Sequence, residues 1–436
     1  MLRWVQSGIS AVTGLAEPAY GREAIHPVTD GLENKKTFST LTADDLKWLH
    51  PDTTNVETQT FYFTCFETGY MGFAQIIHST VIGLYTTAQQ TFKIFHKDTP
   101  DDYVWTSTKL EDFRIEGTNF YAKNLKVELS EDGNSLHFES NASDEVSIDL
   151  TINKTVQGVK FGKDGTTYYG DDINEPWGLM RHVFWPRCNV NGVIKLEEKE
   201  ILLEEEEEVK DNNKNDDDVD GDKKSEQQDQ IEIEKKIEKK DPIIRPINGI
   251  SMFVMALQGM KPHHAAASWN FMNFISPKHS VVVMDFTTPK SYDRTNVSVG
   301  IVTDESNIIS CTIDNKINHL ESKIDSVGWP VPHKIEFILK GFLNTNTLEE
   351  DIENGKATKV ETIVKGDLGN LSERVDVMAE IPTFVKNFVN GVVGTKPYIY
   401  QFCNKLHLSS HGDGLETVEE DGVAYCEVTF ISDISD

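Results

Sequence analysis

Hydrophobic and polar residues alternate over most of the chain, which is the pattern of β-strands with one buried face. The clearest case is a pair of alternating segments, 125–129 and 136–138, that flank Asp132-Gly133, a dipeptide typical of tight hairpin turns. The other segments predicted as strands are 61–66, 72–95, 146–152, 250–257, 280–286, 297–303, 308–313, 334–342, 358–365 and 423–431. Short strands joined by tight turns predict an antiparallel meander that closes into a barrel.

Helical patterns are few. Residues 42–49 predict one short helix, and residues 381–393 predict a second whose apolar face would pack across a barrel or a domain interface. Strands do not alternate with helices, so the parallel α/β folds are excluded. The predicted fold class is all-β, with two lipocalin-like antiparallel barrels.

The first 17 residues have a different pattern, with apolar residues three or four positions apart. This spacing predicts an amphipathic helix that ends before Pro18 and has a polar face of Ser, Thr and Gly with one basic residue, Arg3. Such a helix would contact a membrane through apolar insertion rather than through charge. The predicted membrane-contact residues are Leu2, Trp4, Val5, Ile9 and Val12. The alternative is that the helix packs on its own domain.

The chain has 436 residues, a length that suits two domains, each able to bury a core. Between residues 197 and 241 there are 20 Asp or Glu residues and 9 Lys or Arg residues, a composition typical of disordered segments. The predicted organisation is a helix at 1–17, a first barrel at 37–195, an acidic disordered insert at 196–245 and a second barrel at 246–436.

The formal net charge of −29 argues against nucleic acid as a partner, because a phosphate backbone would be repelled. The five cysteines are scattered and odd in number, which indicates a reducing compartment rather than a disulfide framework. No stretch approaches the roughly 20 apolar residues that span a bilayer, and polar residues interrupt the N-terminus as a signal peptide. We therefore expect a cytoplasmic protein.

Polar and aromatic side chains that could bind a ligand are concentrated in segments 66–79, 174–188 and 257–274. The candidate ligand-binding residues are His78, Glu175, Trp177, Arg181, His182, Trp185, His263, His264 and Trp269. A largely apolar cavity with a few orienting polar groups is how barrels hold lipids, and an Arg or His inside could bind an amide or a hydroxyl. The alternative for each of these residues is ordinary packing.

Metal and cofactor motifs are absent from the sequence. No HxH or HExxH spacing supports a metal site, and there is no GxSxG, P-loop or GxGxxG motif. We therefore expect no metal, no cofactor and no catalytic residue.

Four motifs resemble the fungal survival-factor family: the MLRW start, GYMGFAQIIHSTVIGLYTTAQQTFKIF at 69–95, EPWGLMRHVFWPRCNVNG at 175–192 and ALQGMKPHHAAASWNFMNF at 256–274. The resemblance implies two lipocalin-like domains that bind ceramide and transfer it between the endoplasmic reticulum and the Golgi. It also implies a role in sphingolipid homeostasis and in survival under oxidative stress. In that family the N-terminal helix contacts the membrane and is acetylated, which Met1-Leu2 would match. The implied form is a monomer, cytoplasmic or nuclear, at Golgi and endoplasmic reticulum membranes.

Two other functions stay open. Similar double barrels occur in enzymes, including carotenoid hydratases and fungal pericyclases. An isomerase, cyclase or hydratase would use His78, Glu175, His182 or His264 as general acid or base. A stress-signalling scaffold would instead use the acidic insert as a docking segment.

Overall fold

The computed structural model describes residues 19–49, 55–81, 85–197, 201–204, 235–238, 241–260, 262–369, 371–377 and 397–432. The predicted N-terminal helix, with its membrane-contact residues and Met1, lies outside the described residues. So do the predicted helix at 381–393 and most of the acidic insert. The side chain of His263 is likewise outside the description.

The structure is built from β-strands. Strands of the N-terminal part are β1 Ile25–His26, β2 Phe38–Thr40, β3 Asn55–Thr64, β4 Tyr70–Val81, β5 Tyr85–His96, β6 Thr99–Lys109, β7 Arg114–Glu116, β8 Asn119–Ala122, β9 Leu125–Leu129, β10 Ser135–Ser140, β11 Val146–Lys154, β12 Val159–Phe161, β13 Thr166–Tyr169, β14 Gly178–Leu196, β15 Ile201–Glu204, β16 Lys235–Glu238 and β17 Ile243–Gln258.

The described residues of the C-terminal part form the strands β18 Ser268–Ile275, β19 Ser280–Thr287, β20 Asn296–Thr303, β21 Ile308–Thr312, β22 Asp314–Leu320, β23 Lys323–Ile324, β24 Pro330–Val331, β25 Lys334–Phe342, β26 Lys359–Asp367, β27 Leu371–Asp376, β28 Tyr398–Gly412 and β29 Val418–Phe430. The described helices are short: the 3₁₀ turns Arg22–Ala24, Ala43–Leu46 and Lys290–Tyr292, and the α-helices α1 Pro262–Ala265 and α2 Leu348–Glu353.

Two large antiparallel sheets contain most of these strands. The main path of the first sheet runs β6-β5-β4-β3-β17-β14-β11-β10-β9-β8-β7, and the second runs β21-β20-β19-β18-β29-β28-β26-β25-β22. They form a half-barrel and a nearly closed barrel, so the all-β prediction is confirmed and the expected pair of complete barrels is not. Among the described residues, no helix is long and apolar enough to cross a membrane.

Each sheet has two faces that bury different residues. Phe61 and Phe63 of β3 lie in the core enclosed by the first sheet, whereas Tyr62 between them packs on Phe271 of the second sheet, with ring centroids 5.4 Å apart. This follows from the two-residue period of a strand, which sends successive side chains to opposite faces. The inner face of the first sheet therefore encloses a core, and its outer face contributes to the contact between the sheets.

Several predicted elements differ from the observed ones. Residues 72–95 are not one segment but parts of β4 and β5, which pair antiparallel in a hairpin. The predicted helix at 42–49 is a 3₁₀ turn of four residues. Strand β17 pairs with β14 and β3 inside the first sheet, so residues 246–258 pair with the first sheet rather than with the expected second barrel. Strand β17 also begins at Ile243, within the segment expected to be disordered.

Candidate functional site

Three of the predicted ligand-binding residues lie on the inner face of the first sheet. The strand register places Arg181, Leu257, Glu57 and His78 side by side on four neighbouring strands. All four side chains are buried. Trp185 lies on the same face farther along β14, where its ring packs edge-on against Phe253 with centroids 5.5 Å apart.

Arg181 has a structural role at this end of the sheet. Its Nε donates to the carbonyl of Asp164 at 2.9 Å, and its Nη2 donates to the carbonyl of Asp45 at 2.9 Å. Asp45 lies in the 3₁₀ turn, and its carboxylate also pairs with Lys160 at 2.7 Å. The guanidinium therefore holds the turn across one end of the first sheet, which explains its burial without a ligand.

Next to this row lies a layer of buried polar atoms that have no partner among the described residues. They are Trp48 Nε1, Gln59 Oε1, Gln90 Nε2 and Thr106 Oγ1, and each side chain is less than a tenth exposed. An unmet buried donor or acceptor costs about 1–3 kcal/mol, so native proteins contain few of them. We define these four residues as the inner polar layer.

The second sheet carries a group of buried polar side chains whose hydrogen-bonding atoms have partners. Asn270 donates to Asp285 at 2.9 Å and its oxygen lies 2.6 Å from Nε2 of His319. Asn296 donates to the other oxygen of Asp285 at 3.0 Å. Burial raises the pKa of Asp285 and lowers that of His319 to about 4. This network satisfies itself and therefore gives no sign of a missing ligand.

The remaining predicted residues do not join the inner face. Trp177 donates from Nε1 to the hydroxyl of Tyr292 at 2.9 Å and packs on Tyr20, and Trp269 contacts the same aromatic cluster from the second part of the chain. Glu175 is exposed in a turn. The predicted residues whose side chains are described are therefore spread over several places and do not form one pocket.

His182 and His264 are also apart from the first-sheet interior. His182 lies between the two sheets, where burial, followed by the charge of Arg181, lowers its pKa to about 4. His264 is half-buried in the short helix α1.

A cleft of about 730 Å³ lies where residues 29–38 approach the second sheet. Its apolar lining includes Leu32, Phe38, Ile313, Phe342 and Val360. These residues come from widely separated parts of the sequence, so no local motif indicates the cleft. None of them is among the residues that the sequence predicts to bind a ligand.

The wall of the cleft is fixed to both sheets through Thr37. Its carbonyl accepts from the N–H of Gly162 at 2.9 Å, and its hydroxyl donates to the carbonyl of Cys311 at 2.7 Å. On the opposite wall Lys340 pairs with Glu361 at 3.1 Å. Thr29, Asn34 and Thr37 add uncharged hydrogen-bonding side chains. The lining of the cleft therefore combines apolar side chains with polar and charged ones, among them Glu33, Lys35 and Asp314.

Within the described ranges, no group of three or more His, Cys, Asp or Glu residues could hold a metal ion. The five cysteines are buried and unpaired, and burial raises the pKa of each. A buried thiol with a raised pKa is a poor nucleophile, because the thiolate is the reactive form.

A sequence model of the Svf1 family matches residues 2–432. The chain belongs to the Svf1 family. Relatives named "Ceramide-binding protein SVF1" from Kluyveromyces lactis and Debaryomyces hansenii are 51% and 50% identical, over 100% and 99% of this chain and 98% and 100% of their own. A relative of the same name from Candida albicans is 48% identical over 99% of this chain and 100% of its own. The predicted family is therefore confirmed.

Among solved structures, CghA is similar in fold. Its crystal structure superposes with a TM-score of 0.52 and 9% sequence identity, covering 88% of this chain and 90% of that one. At this identity the likeness shows the shared fold alone. The Svf1-family fold is therefore one that has been seen by crystallography in a distant protein.

Proposed function

We propose that this protein binds ceramide and carries it between membranes without converting it. Support comes from the Svf1-family relatives that bear the name ceramide-binding protein, three of which are about half identical over nearly the whole chain. At such identity and coverage the residues that bind a common ligand are expected to be shared.

The cleft between residues 29–38 and the second sheet suits this ligand. Ceramide has two long aliphatic chains, and each buried methylene contributes about 0.8 kcal/mol. A volume of about 730 Å³ lies within the range of roughly 300–1,000 Å³ that ligand sites have. The apolar residues Phe38, Ile313 and Phe342 would hold the chains, and this cleft is the observation that carries the proposed site.

The headgroup of ceramide has an amide and two hydroxyls and carries no charge. Thr29 and Asn34 at the cleft can donate to it or accept from it, and the hydroxyl of Thr37 can accept, without a counter-ion. Because Lys340 and Glu361 already neutralise each other, the pair does not demand a charged ligand. An uncharged amphiphile therefore fits the cleft.

Carriage between the endoplasmic reticulum and the Golgi, and the resulting sphingolipid homeostasis and stress survival, are part of this proposal. An open cleft allows a lipid to enter and leave, as a carrier requires. The predicted N-terminal helix would bring the protein to the bilayer, and its role stays a prediction.

The test compares two matched variants, Ile313→Asp in the cleft and Ile324→Asp, whose side chain is 70% exposed in the hairpin of β23 and β24. The purified full-length chains are extracted and their lipids quantified by mass spectrometry, with thermal melts to show that both variants fold. We expect ceramide with the wild type and Ile324→Asp, and a loss of at least tenfold with Ile313→Asp. Equal ceramide in all three proteins would refute the cleft, and conversion of added ceramide would refute a non-catalytic carrier.

A further inference from the structure

The inner polar layer shares no residue with the cleft and presents a second arrangement that could bind a ligand. The strand register sets Gln59, Ile76 and Gln90 in one row, so the two glutamines lie two strands apart on the inner face. Thr106 is opposite Phe92, one row farther along. The backbones of strands two apart are separated by about 10 Å, and long side chains on a curled inner face reach into the space between them.

Other contacts fix the orientation of these side chains. Gln90 accepts a hydrogen bond through Oε1 from the hydroxyl of Ser140 at 2.5 Å, which leaves Nε2 as its donor. The ring of Trp48 packs against His78 and Phe120, with centroids 5.9 and 5.8 Å away. The donors Trp48 Nε1 and Gln90 Nε2 are therefore held inside the first sheet, and Oε1 of Gln59 is buried on the same inner face.

The charged groups beside the layer already have partners. Arg181 donates to the carbonyls of Asp45 and Asp164, and Oε1 of Glu57 accepts from the N–H of Leu49 at 3.0 Å. The unpartnered atoms of the layer are all uncharged, and they include donors and an acceptor. Because an unpaired charge would be costly to bury among them, we expect a ligand that satisfies them to be uncharged and to both accept and donate hydrogen bonds.

We propose that the inner polar layer is a second binding site, which takes an uncharged group bearing hydroxyl or amide functions. Trp48 Nε1 and Gln90 Nε2 donate to an oxygen of this group, and Gln59 Oε1 accepts one of its O–H or N–H groups. The hydroxyl of Thr106 can donate or accept a hydrogen bond. Two sources have this chemistry: the headgroup of an N-acyl amino alcohol and a free small polyol.

This site is independent of the cleft and does not rest on the proposed function. Its direct reporter is the indole N–H of Trp48, because a new acceptor shifts that proton resonance. The full-length protein is labelled at tryptophan with ¹⁵N, and the Trp48 signal is assigned by its disappearance in Trp48→Phe. The probes are N-acetylsphingosine in one arm and glycerol in the other.

We expect the Trp48 signal to shift on titration with at least one probe, and to do so equally in the cleft variant Ile313→Asp. A shift with N-acetylsphingosine assigns the layer to a lipid headgroup, and a shift with glycerol alone assigns it to a polyol. If neither probe moves the signal, the proposal is overturned and the layer binds water only.

Gln59→Met separates binding from folding, because it keeps the length of the side chain and removes an acceptor that has no partner. We expect this variant to fold at least as stably as the wild type and to bind the probe at least tenfold more weakly. An unchanged affinity would overturn the role of Gln59 and with it the proposed site. Loss of co-purified ceramide in Ile313→Asp while Trp48 still responds would leave both proposals standing. Ceramide retained in Ile313→Asp but lost in Gln59→Met would refute the cleft alone.

Discussion

Lys93 of the first sheet and Glu373 of the second form an ion pair, with Nζ and Oε2 2.7 Å apart. The side chain of Lys93 is fully buried, and its Nζ also donates to Oε1 of Gln401 at 3.0 Å. The same ammonium lies 4.2 Å from the ring centroid of Tyr103. Burial lowers the pKa of Lys93, and the pair with Glu373 opposes that shift. One cation thus connects the two sheets.

We expect Lys93→Met to destabilise the protein, because it leaves Glu373 and Gln401 without their donor. Breaking a buried pair costs about 3–5 kcal/mol, and the partial exposure of Glu373 places the effect at about 3 kcal/mol. The measurement is chemical denaturation followed by fluorescence. The control is Lys97→Met, whose pair with Asp98 lies at the surface and should give no measurable change. Equal stability of both variants would show that the pair does not hold the sheets together.

Glu427, which lies at the contact between the two sheets, makes the stability of the folded protein depend on pH. Burial raises the pKa of its carboxyl, and the hydrogen bonds from Tyr425 and Gln401 oppose this only in part. Because the folded pKa is above the unfolded value of about 4.5, the wild type loses stability as the pH rises from below 4.5 through the folded pKa.

We expect Glu427→Gln to be more stable than the wild type at neutral pH, with the difference shrinking in acid. The amide keeps an oxygen that can accept from Tyr425 and Gln401. Urea denaturation at a series of pH values measures the difference. A constant difference at every pH would show that the ionisation of Glu427 has no effect on folding.

His182 should make the folding stability change with pH in the opposite direction. Its pKa falls from 6.5 to about 4 in the folded protein, so the neutral ring is the form that folding favours. Its contribution is complete above pH 6.5 and is lost as the pH falls toward 4, by roughly 3 kcal/mol in total. We expect His182→Leu to lose less stability than the wild type between pH 7 and pH 4.5 in urea denaturation.

Gly72 allows a test of backbone packing between β4 and β5. A Cβ at this position would overlap the carbonyl of Lys93 and approach the ring of Phe63. We expect Gly72→Ala to lower the thermal midpoint strongly, because a backbone carbonyl cannot move aside as a side chain can; overpacking typically costs about 1–3 kcal/mol or more. Gly369→Ala is the control, since no atom of the described residues lies within 4 Å of a Cβ there. Similar thermal midpoints for the two variants would show that the backbone around Gly72 has room for a Cβ.

The strands were predictable where the alternation was complete. Residues 334–342 form β25 as predicted, and Asp132-Gly133 connects β9 and β10 as a hairpin. In β3 the alternation misleads, because the polar residues Glu57 and Gln59 face the interior of the first sheet. A polar residue in an alternating strand normally indicates the solvent face, so this reversal could not be read from local sequence.

The candidate site was harder to predict than the strands. His78, Arg181 and Trp185 do face one interior, but the structure assigns Arg181 to holding the 3₁₀ turn. The cleft draws on residues near positions 32, 313, 342 and 360, which meet only through long-range strand pairing. No spacing rule connects such positions. The pairing of β17 with β3 could not be predicted either, because it also joins residues far apart in the sequence.

Strand β17 also sets an order of events during synthesis. It lies in the middle of the first sheet, between β14 and β3, although the acidic insert separates it from β14 in sequence. A ribosome that has released only residues 1–197 has therefore not yet supplied a central strand. The edges of β3 and β14 stay unpaired until residue 258 emerges, and in that interval the nascent chain is most exposed to mispairing and to chaperones.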